Sequence, residues 1–176
     1  MIESEIVRIP AERRKAIIGK EGKTKAQIEK MCKVKLKIDD EGEITISGDP
    51  TEVFFAKDVV KAIGRGFEPK TALKLLKDDY NLQLINLKEI ANNEKAMVRL
   101  KGRVIGESGK IRLDIESATD SFLCIYGSTI GIISHVDTIS YATEAVNMLL
   151  EGAPHPAVLR YLAKAKHEIM DKRLRS

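Results

Sequence analysis

The sequence is poor in the residues that build metal sites, disulfide frameworks and aromatic stacking platforms. Of its 176 residues two are cysteine, none is tryptophan and 5% are aromatic. Cys32 and Cys124 form no CxxC pair, so they supply neither a disulfide framework nor a zinc site. The three histidines are scattered without the spacing of metal ligands. The sequence therefore predicts a protein without a metal or other cofactor, kept in a reducing cytoplasm.

Long apolar runs and a secretion signal are also missing. No stretch approaches the roughly 18 to 20 apolar residues of a membrane span. The opening MIESEIVRIP lacks the charged and apolar regions of a signal peptide. Apolar residues make up 43% of the chain and charged residues 32%. This composition predicts a globular protein with room for one medium domain or two small ones.

Charge is distributed in blocks, although the net charge is only +4. Between Arg13 and Lys37 there are ten basic residues against two acids, and Asp39 to Asp58 has seven acids against one lysine. Basic residues outnumber acids by five to one from Arg99 to Arg112 and by six to two from Arg160 to Arg175. Such blocks are typical of phosphate-binding proteins, and a solvated helix face is the alternative for any single block.

The stretch IIGKEGKTK, from Ile17 to Lys25, could belong to either of two kinds of phosphate-binding loop. A nucleotide hydrolase needs the pattern GxxxxGK[ST] after a buried strand. Gly22, Lys23 and Thr24 supply its end, but its first glycine should stand at Ile17. The preceding PAERRKAII favours a short helix with proline at its start rather than a core strand. Spacing and context therefore exclude the hydrolase.

The same loop recurs farther along the chain, which identifies an internal repeat. AIIGKEGKTKAQIEK aligns with RVIGESGKIRLDIES at a constant offset of 87 residues. After one deletion the offset becomes 86, and it continues through the last helix of each copy. The matched pairs include Ile18 with Ile105, Gly19 with Gly106, Gly22 with Gly109, Lys23 with Lys110, Lys25 with Arg112, Ile28 with Ile115, Glu29 with Glu116 and Leu36 with Leu123. The chain therefore contains a duplicated domain.

Hydropathy patterns predict one element order for both copies: strand, helix, GxxG loop, helix, two strands and a helix. In the first copy SEIVRI, KVKLKID and EITIS are strands. A short helix ends at Gly19, and a second runs from Lys23 to about Met31. Asp49 and Pro50 open the last helix. The buried candidates on that helix are Phe54, Val59 and Ala62.

In the second copy the predicted strands are LQLINL, SFLCIYG and TIGIIS. A short helix ends at Ile105, a second runs to Thr119, and the last extends from Val136 to Glu151. The C-terminal segment PAVLRYLAKAKHEIMDKRLRS predicts an amphipathic helix that packs on this copy. Its apolar face comprises Val158, Leu159, Leu162, Ala165 and Ile169.

This order and the two loop segments resemble the type I KH domain, whose core carries the pattern IGxxGxxIxxI. The resemblance implies an α+β fold in which each copy has β-α-α-β-β-α order and packs a three-stranded antiparallel sheet with three helices. It also implies that each GxxG loop holds an RNA backbone while an apolar groove takes about four unpaired bases. The candidate RNA-binding residues are Ile18, Gly19, Lys20, Glu21, Gly22, Lys23 and Lys25 in the first copy and Arg103, Ile105, Gly106, Glu107, Ser108, Gly109, Lys110 and Arg112 in the second.

The residue types in these loops suit a nucleic-acid backbone. Two glycines let the sugar-phosphate chain approach the main chain closely, because no Cβ stands in its path. The free amides at the start of the following helix face phosphate oxygens, and the basic residues of its first turn add counter-charge. The expected groove floor is Ile18, Ile28 and Leu36 with their partners in the second copy.

Nearly the whole chain is similar to the archaeal Pno/Dim family, which is related to the Krr-type pre-ribosomal RNA-processing proteins. The similarity rests on the two KH copies, the linker GFEPKTALKLLKDDY and the Gly-x-Pro-x-Pro entry to the last helix. It implies a first KH domain at 1–66, a linker helix at 67–80, a second KH domain at 81–152 and a C-terminal helix at 153–176.

The family implies a single-stranded RNA-binding protein that binds the 3′ end region of small-subunit rRNA during ribosome biogenesis. The implied partners are the endonuclease that trims this end and the alpha subunit of translation initiation factor two, without a membrane. The alternative is a KH-fold adaptor that acts mainly through protein contacts. Local charge favours the first copy as the RNA clamp, whereas the family resemblance favours the second, which we expect to dominate.

Enzyme activity is not expected. Glu29 and Glu116 recur in both copies, but each stands beside the isoleucine of the KH helix, and a surface salt bridge explains them without chemistry. The sequence offers no nucleophile–base pairing and no metal cluster.

Overall fold

The computed structural model describes residues 1–176, which form two compact units, Met1–Leu82 and Gln83–Ser176. Each unit contains one three-stranded sheet and the element order strand, helix, helix, strand, strand, helix. The expected α+β fold with two KH-like copies is therefore confirmed. None of the helices combines the length and the apolar character that crossing a membrane requires.

The first unit places its helices against one face of an antiparallel sheet with the strand order β1-β3-β2. Short 3-10 turns precede α1, join α1 to α2 and follow α4. The elements are β1 (Glu3–Arg8), α1 (Arg14–Ile18), α2 (Lys23–Cys32), β2 (Val34–Ile38), β3 (Glu43–Gly48), α3 (Pro50–Gly64) and α4 (Pro69–Ala72), and the 3-10 turns are Ala11–Arg13, Lys20–Gly22 and Leu73–Leu76.

The period-two pattern of β2 decides which face of this sheet is buried. Val34 and Leu36 point into the core while Lys35 and Lys37 are exposed. Such alternation is typical of a strand with one solvated face. The core beneath the sheet is formed by Ile17, Ile28, Ile44, Ile46, Val59 and Ile63.

Helix α3 begins as the sequence predicts, but one of its expected core residues is outside. The Asp49 carboxylate accepts the Thr51 N–H at 3.1 Å, and Pro50 occupies the first turn. Val59 and Ala62 are fully buried, whereas Phe54 is 68% exposed. The buried stripe passes through Val53, and a residue one position later lies about 100° around a helix with 3.6 residues per turn. The prediction for Phe54 was therefore wrong.

The segment between the last helix of the first unit and strand β4 is helical only in part. Helix α4 covers Pro69–Ala72, and a 3-10 turn continues it to Leu76. Both pack against α3 through the buried Ala72, Leu73 and Leu75.

The second unit has the strand order β4-β6-β5, with β5 antiparallel to β6. Its first helix has 12 residues, longer than the short helix predicted, and begins where the Asn93 side chain accepts the Ala96 N–H at 2.8 Å. The elements are β4 (Tyr80–Asn86), α5 (Glu94–Ile105), α6 (Lys110–Thr119), β5 (Ser121–Tyr126), β6 (Thr129–His135), α7 (Ile139–Leu150) and α8 (His155–Arg175), and the 3-10 turns are Leu87–Glu89 and Glu107–Gly109.

Helix α7 starts three residues later than predicted. After β6 the chain turns so that the Thr138 N–H binds the His135 carbonyl at 3.0 Å. The Thr138 hydroxyl lies 2.6 Å from the Ser134 hydroxyl in a buried polar pair. This turn holds Val136 outside the helix, and the helix begins at Ile139.

Helix α8 packs on α6 and α7, as its amphipathic pattern predicts. Val158, Leu162, Ala165 and Ile169 are buried at spacings of four, three and four residues. Leu159 was expected on the same face but is 43% exposed, because it lies one position beyond the buried stripe.

Candidate nucleic-acid interface

The two GxxG loops have the same backbone conformation, although their middle residues differ. Gly19 and Gly106 have φ/ψ of 73°/176° and 75°/176°. In each loop the residue before the second glycine is left-handed, Glu21 with φ 55° and Ser108 with φ 54°. The structure thus builds one loop twice, and the identity of the middle side chain does not alter its path.

The first glycine of each loop is required by the protein itself. A Cβ at Gly19 would overlap the Thr24 side chain and lie 2.9 Å from the Thr24 nitrogen. At Gly106 it would overlap Ile111 in the same way. The combination of positive φ with ψ near 180° is also essentially restricted to glycine.

The second glycine faces open space. A Cβ on Gly22 or Gly109 would meet no atom within 4 Å, and glycine adopts their left-handed φ of 72° and 74° with less strain than other residues. The expectation that both glycines clear the path of a ligand therefore fits the second glycine, whereas the first is fixed by internal packing. A nucleic-acid backbone can therefore approach each loop at its second glycine, where the following helix begins.

The helix after each loop begins directly at this open side. Helices α2 and α6 start at Lys23 and Lys110, whose own N–H groups are already bonded to the Lys20 and Glu107 carbonyls of the 3-10 turns. The amides of the next two positions have no partner within the helix. Lys20, Lys23 and Lys110 are exposed there. Lys23 lies 3.7 Å from the Glu21 carboxylate, a pair exposed on both sides and therefore weak. The arrangement can hold an anionic oxygen with main-chain donors and lysine counter-charge.

The basic residues two positions farther along each helix form salt bridges within the protein. Lys25 Nζ lies 3.6 Å from Glu29 Oε1, and Arg112 Nε lies 3.5 Å from Glu116 Oε1, each pair spanning one helical turn. The salt bridges expected for the two glutamates are thus confirmed. Lys25 and Arg112 contribute less free charge to the loop than the sequence suggested.

Each glutamate also binds the main chain of a neighbouring strand. The Leu36 N–H donates to Glu29 Oε1 at 2.9 Å, and the Leu123 main chain bonds to the Glu116 carboxylate, although not to its Oε1, which has no hydrogen-bond partner. Burial raises the pKa of the Glu116 carboxyl, while Arg112 and the Leu123 hydrogen bond act in the opposite direction. Sequence reasoning missed this contact, because a carboxylate bound to a strand seven residues away leaves no local pattern.

The groove floor is less apolar than expected. Ile28 and Ile115 are fully buried and belong to the core, so no base can touch them. Leu36 is 5% exposed, whereas Ile18 is half-buried and Ile105 is 37% exposed. The accessible groove therefore consists of Ile18 or Ile105 and the polar wall formed by the glutamate and its basic partner.

Arg103 binds the main chain of its own unit, a role that the sequence did not predict. Its Nε donates to the Leu149 carbonyl at 2.6 Å and a terminal nitrogen donates to the Ala153 carbonyl at 2.5 Å, at the C-terminal end of α7. The Leu149 carbonyl also accepts the Gly152 N–H at 3.2 Å, so the guanidinium adds a second, charged donor there and ties the end of α7 to the turn that follows it. These bonds use two of the five N–H donors of the guanidinium, and we now expect Arg103 to act on the stability of the unit rather than on RNA.

The first unit contains the same cap on a different residue. Arg13 Nε donates to the Ile63 carbonyl at 3.0 Å and its terminal nitrogen to the Phe67 carbonyl at 3.3 Å. The two acceptors match Leu149 and Ala153 at the repeat offset of 86, but Arg103 aligns with Ala16 rather than with Arg13.

Family models match both units. A model described as KH domain matches residues 4–62, and one described as eukaryotic type KH-domain (KH-domain type I) matches residues 81–167. Together they cover the two stretches that carry the GxxG loops.

Similar proteins come from archaea and fungi. A KH domain-containing protein of Methanocaldococcus jannaschii is 44% identical over 94% of this chain and 75% of its own length. The pre-rRNA-processing protein PNO1 of Debaryomyces hansenii is 34% identical over 55% of this chain and 39% of its own length. The chain thus spans less than half of this fungal relative.

Two solved structures from Pyrococcus horikoshii are similar over almost the entire chain. One is Dim2p, with a TM-score of 0.86 and 40% identity, covering 92% of this chain and 99% of that one. The other is a chain in an a/eIF2alpha–aDim2p–rRNA complex, with a TM-score of 0.89 and 40% identity, covering 96% of both chains.

Proposed function

Since this chain belongs to the archaeal Pno/Dim family of two-KH-domain proteins, we propose that it binds single-stranded RNA at the 3′ end region of small-subunit rRNA during ribosome biogenesis. One observation carries the proposal: both GxxG loops have the same backbone and are open at the second glycine, directly before a helix start with an exposed lysine. Such a site binds phosphate through main-chain amides without depending on sequence.

We place the RNA backbone at the second glycine and the helix start of each copy. Gly22 and Gly109 supply the open approach, and Lys23 and Lys110 supply the charge. Glu21 is 71% exposed and need not face the phosphates. We expect the second copy to dominate RNA binding, with the first assisting it or docking a protein.

The proposed partners follow from the similar structure that contains a translation factor subunit. The Pyrococcus horikoshii complex joins Dim2p to a/eIF2alpha and rRNA. We propose that this chain likewise binds the alpha subunit of translation initiation factor two, and that it also recruits the endonuclease that trims the rRNA. Its role in this assembly is binding without catalysis, in the cytoplasm.

Fluorescence anisotropy with labelled RNA of the rRNA 3′ end tests the proposal. The variant Glu107→Asp/Ser108→Asp lowers the charge of the second loop by one, and Lys20→Asp/Glu21→Asp lowers that of the first loop by two. Aspartate tolerates the left-handed conformation of Ser108 and Glu21, so the loops keep their shape. We expect the affinity to fall most for the second-loop variant, with a log–log salt slope near −0.7 per phosphate contact.

The outcomes separate the clamp from the adaptor. Loss in the first-loop variant alone would reverse the assignment of the two copies. Unchanged affinity in both variants, or no binding by the wild type, would contradict the clamp. The adaptor is the second candidate because Lys25 and Arg112 are already paired with glutamates, which reduces the charge available to RNA. An adaptor would bind the translation factor subunit while binding RNA weakly.

A further inference from the structure

A carboxylate covers the outer edge of the strand that borders each groove. In the first unit β2 lies at the edge of the sheet, so the main-chain groups on its outer side have no strand partner. Glu29 Oε1 occupies one of these positions by accepting the Leu36 N–H at 2.9 Å. Lys25 Nζ stands 3.6 Å from the same oxygen. The outward N–H of Leu36 is therefore already bonded, and this point of the strand edge presents a carboxylate with a cation beside it.

The second unit repeats this arrangement. Strand β5 is the edge strand, and Leu123 hydrogen-bonds to Glu116. Arg112 Nε lies 3.5 Å from Glu116 Oε1, an atom that is buried without a hydrogen-bond partner. The two arrangements occupy matched positions of the repeat. They differ in the basic residue and in the oxygen that it meets, because Lys25 and the strand N–H share one oxygen of Glu29, whereas Arg112 lies beside an oxygen of Glu116 that accepts no hydrogen bond.

The first of these carboxylates is accessible to a ligand. Its side chain is 23% exposed, and Oε2 makes no hydrogen bond or ion pair. Glu29 lines an open cavity of about 400 Å³ at the edge of β2, together with Lys33, Val34 and Lys35. Partial burial makes a hydrogen bond to such a carboxylate stronger than one formed in water.

A carboxylate next to a cation selects among the bases by their hydrogen-bonding edges. Guanine presents two adjacent N–H donors, N1 and N2, beside the acceptor O6, which matches a carboxylate flanked by a lysine or arginine. Adenine and cytosine place an acceptor nitrogen beside their single amino group, and the carboxylate would repel it. Uracil has one N–H between two carbonyl oxygens, so one oxygen would face the carboxylate.

We propose that Glu29 and Glu116 are specificity-determining residues that select guanine in the groove of their copy, with Lys25 or Arg112 binding O6. The inference rests on the proposed RNA-binding function and deepens it. It assigns to the glutamates a base contact in addition to their contact with the strand.

The test compares short cytidine-rich RNAs that carry one central guanine, inosine, adenine or uracil. For the wild type we expect guanine to bind about tenfold more tightly than adenine, as for a well-formed pair of hydrogen bonds to a base. Inosine lacks the N2 amino group and should fall between them. This series needs no variant and therefore does not depend on the folding of one.

Glutamine variants then locate the selecting residue. Glu29→Gln and Glu116→Gln keep an oxygen that accepts the strand N–H, but replace the free acceptor by an amide donor. We expect the variant in the RNA-binding copy to lose the guanine preference. Glu41→Gln removes the same charge from the exposed turn between β2 and β3 and should keep the preference.

Each result decides a different question. Equal binding of all four RNAs by the wild type would overturn the inference and leave the RNA-binding function standing. Guanine preference that survives in both glutamine variants would overturn it too. A wild type that binds none of the RNAs, including the rRNA 3′ end, would overturn the proposed function and this inference with it.

Discussion

Replacing Arg103 with alanine should destabilise the second unit without weakening the affinity of the folded protein for RNA. The guanidinium donates to the carbonyls of Leu149 and Ala153 at the end of α7. Alanine would leave both carbonyls without this partner at a partly buried position. Since α7 packs on α5, α6 and α8, a frayed end of α7 would loosen the core of the unit.

The two bonds set the size of the effect. A hydrogen bond from a charged donor contributes about 1.5 to 3 kcal/mol, and partial exposure favours the lower end. We therefore expect a loss of about 2 to 4 kcal/mol in the free energy of unfolding. In a unit of this size such a loss lowers Tm by roughly 10 to 20 °C.

Thermal unfolding followed by calorimetry checks this value, because two units can give two resolved transitions. Arg13→Ala is the matched control and should lower the transition of the first unit, by a smaller amount because its bonds are longer, 3.0 and 3.3 Å. Arg103→Lys can donate to one carbonyl at most and should be intermediate. Unchanged Tm in Arg103→Ala, together with weaker RNA binding at a temperature where the protein is folded, would refute the reasoning.

Two further predictions concern the loops and the thiols. Gly106→Ala should lower Tm clearly more than Gly109→Ala, because the new Cβ at position 106 would overlap Ile111, whereas the one at position 109 costs only the left-handed strain of about 1 to 2 kcal/mol. Equal losses in thermal melts would contradict the roles assigned to the two glycines. Burial raises the pKa of Cys32 to about 11, so at pH 8 about one Cys32 thiol in a thousand is a thiolate. The half-buried Cys124 should therefore react first when a thiol reagent is added to the folded protein, and rapid reaction of both cysteines would contradict this order.

The fold could be predicted because its signals are local and occur twice. The alternation of KVKLKID assigns the faces of β2, and Asp49 with Pro50 marks the start of α3. The repeated GxxG segments predict two loops, and the structure gives them one backbone. Each of these signals depends on residues within a few positions of one another, which is the range that propensity and periodicity describe.

The errors arose where a contact spans a long stretch of chain or a helix has apolar residues on two sides. Phe54 and Leu159 each follow a buried residue, and periodicity alone does not distinguish the last residue of the buried stripe from the first one outside it. Arg103 meets carbonyls 46 and 50 residues away. In the sequence, a basic residue beside a loop is as compatible with phosphate binding as with capping a helix, so only the three-dimensional contact distinguishes these two roles.

The paired arginine caps have a consequence for how the duplicated halves are compared. The accepting carbonyls stay in register between the copies, yet the donor stands at Arg13 in one and at Arg103 in the other, three positions out of alignment. Residues three positions apart are neighbours on a helix surface, so both places present a side chain to the same helix end. A column-by-column comparison of the two halves would therefore score as two mismatches what the structure shows to be one shared interaction.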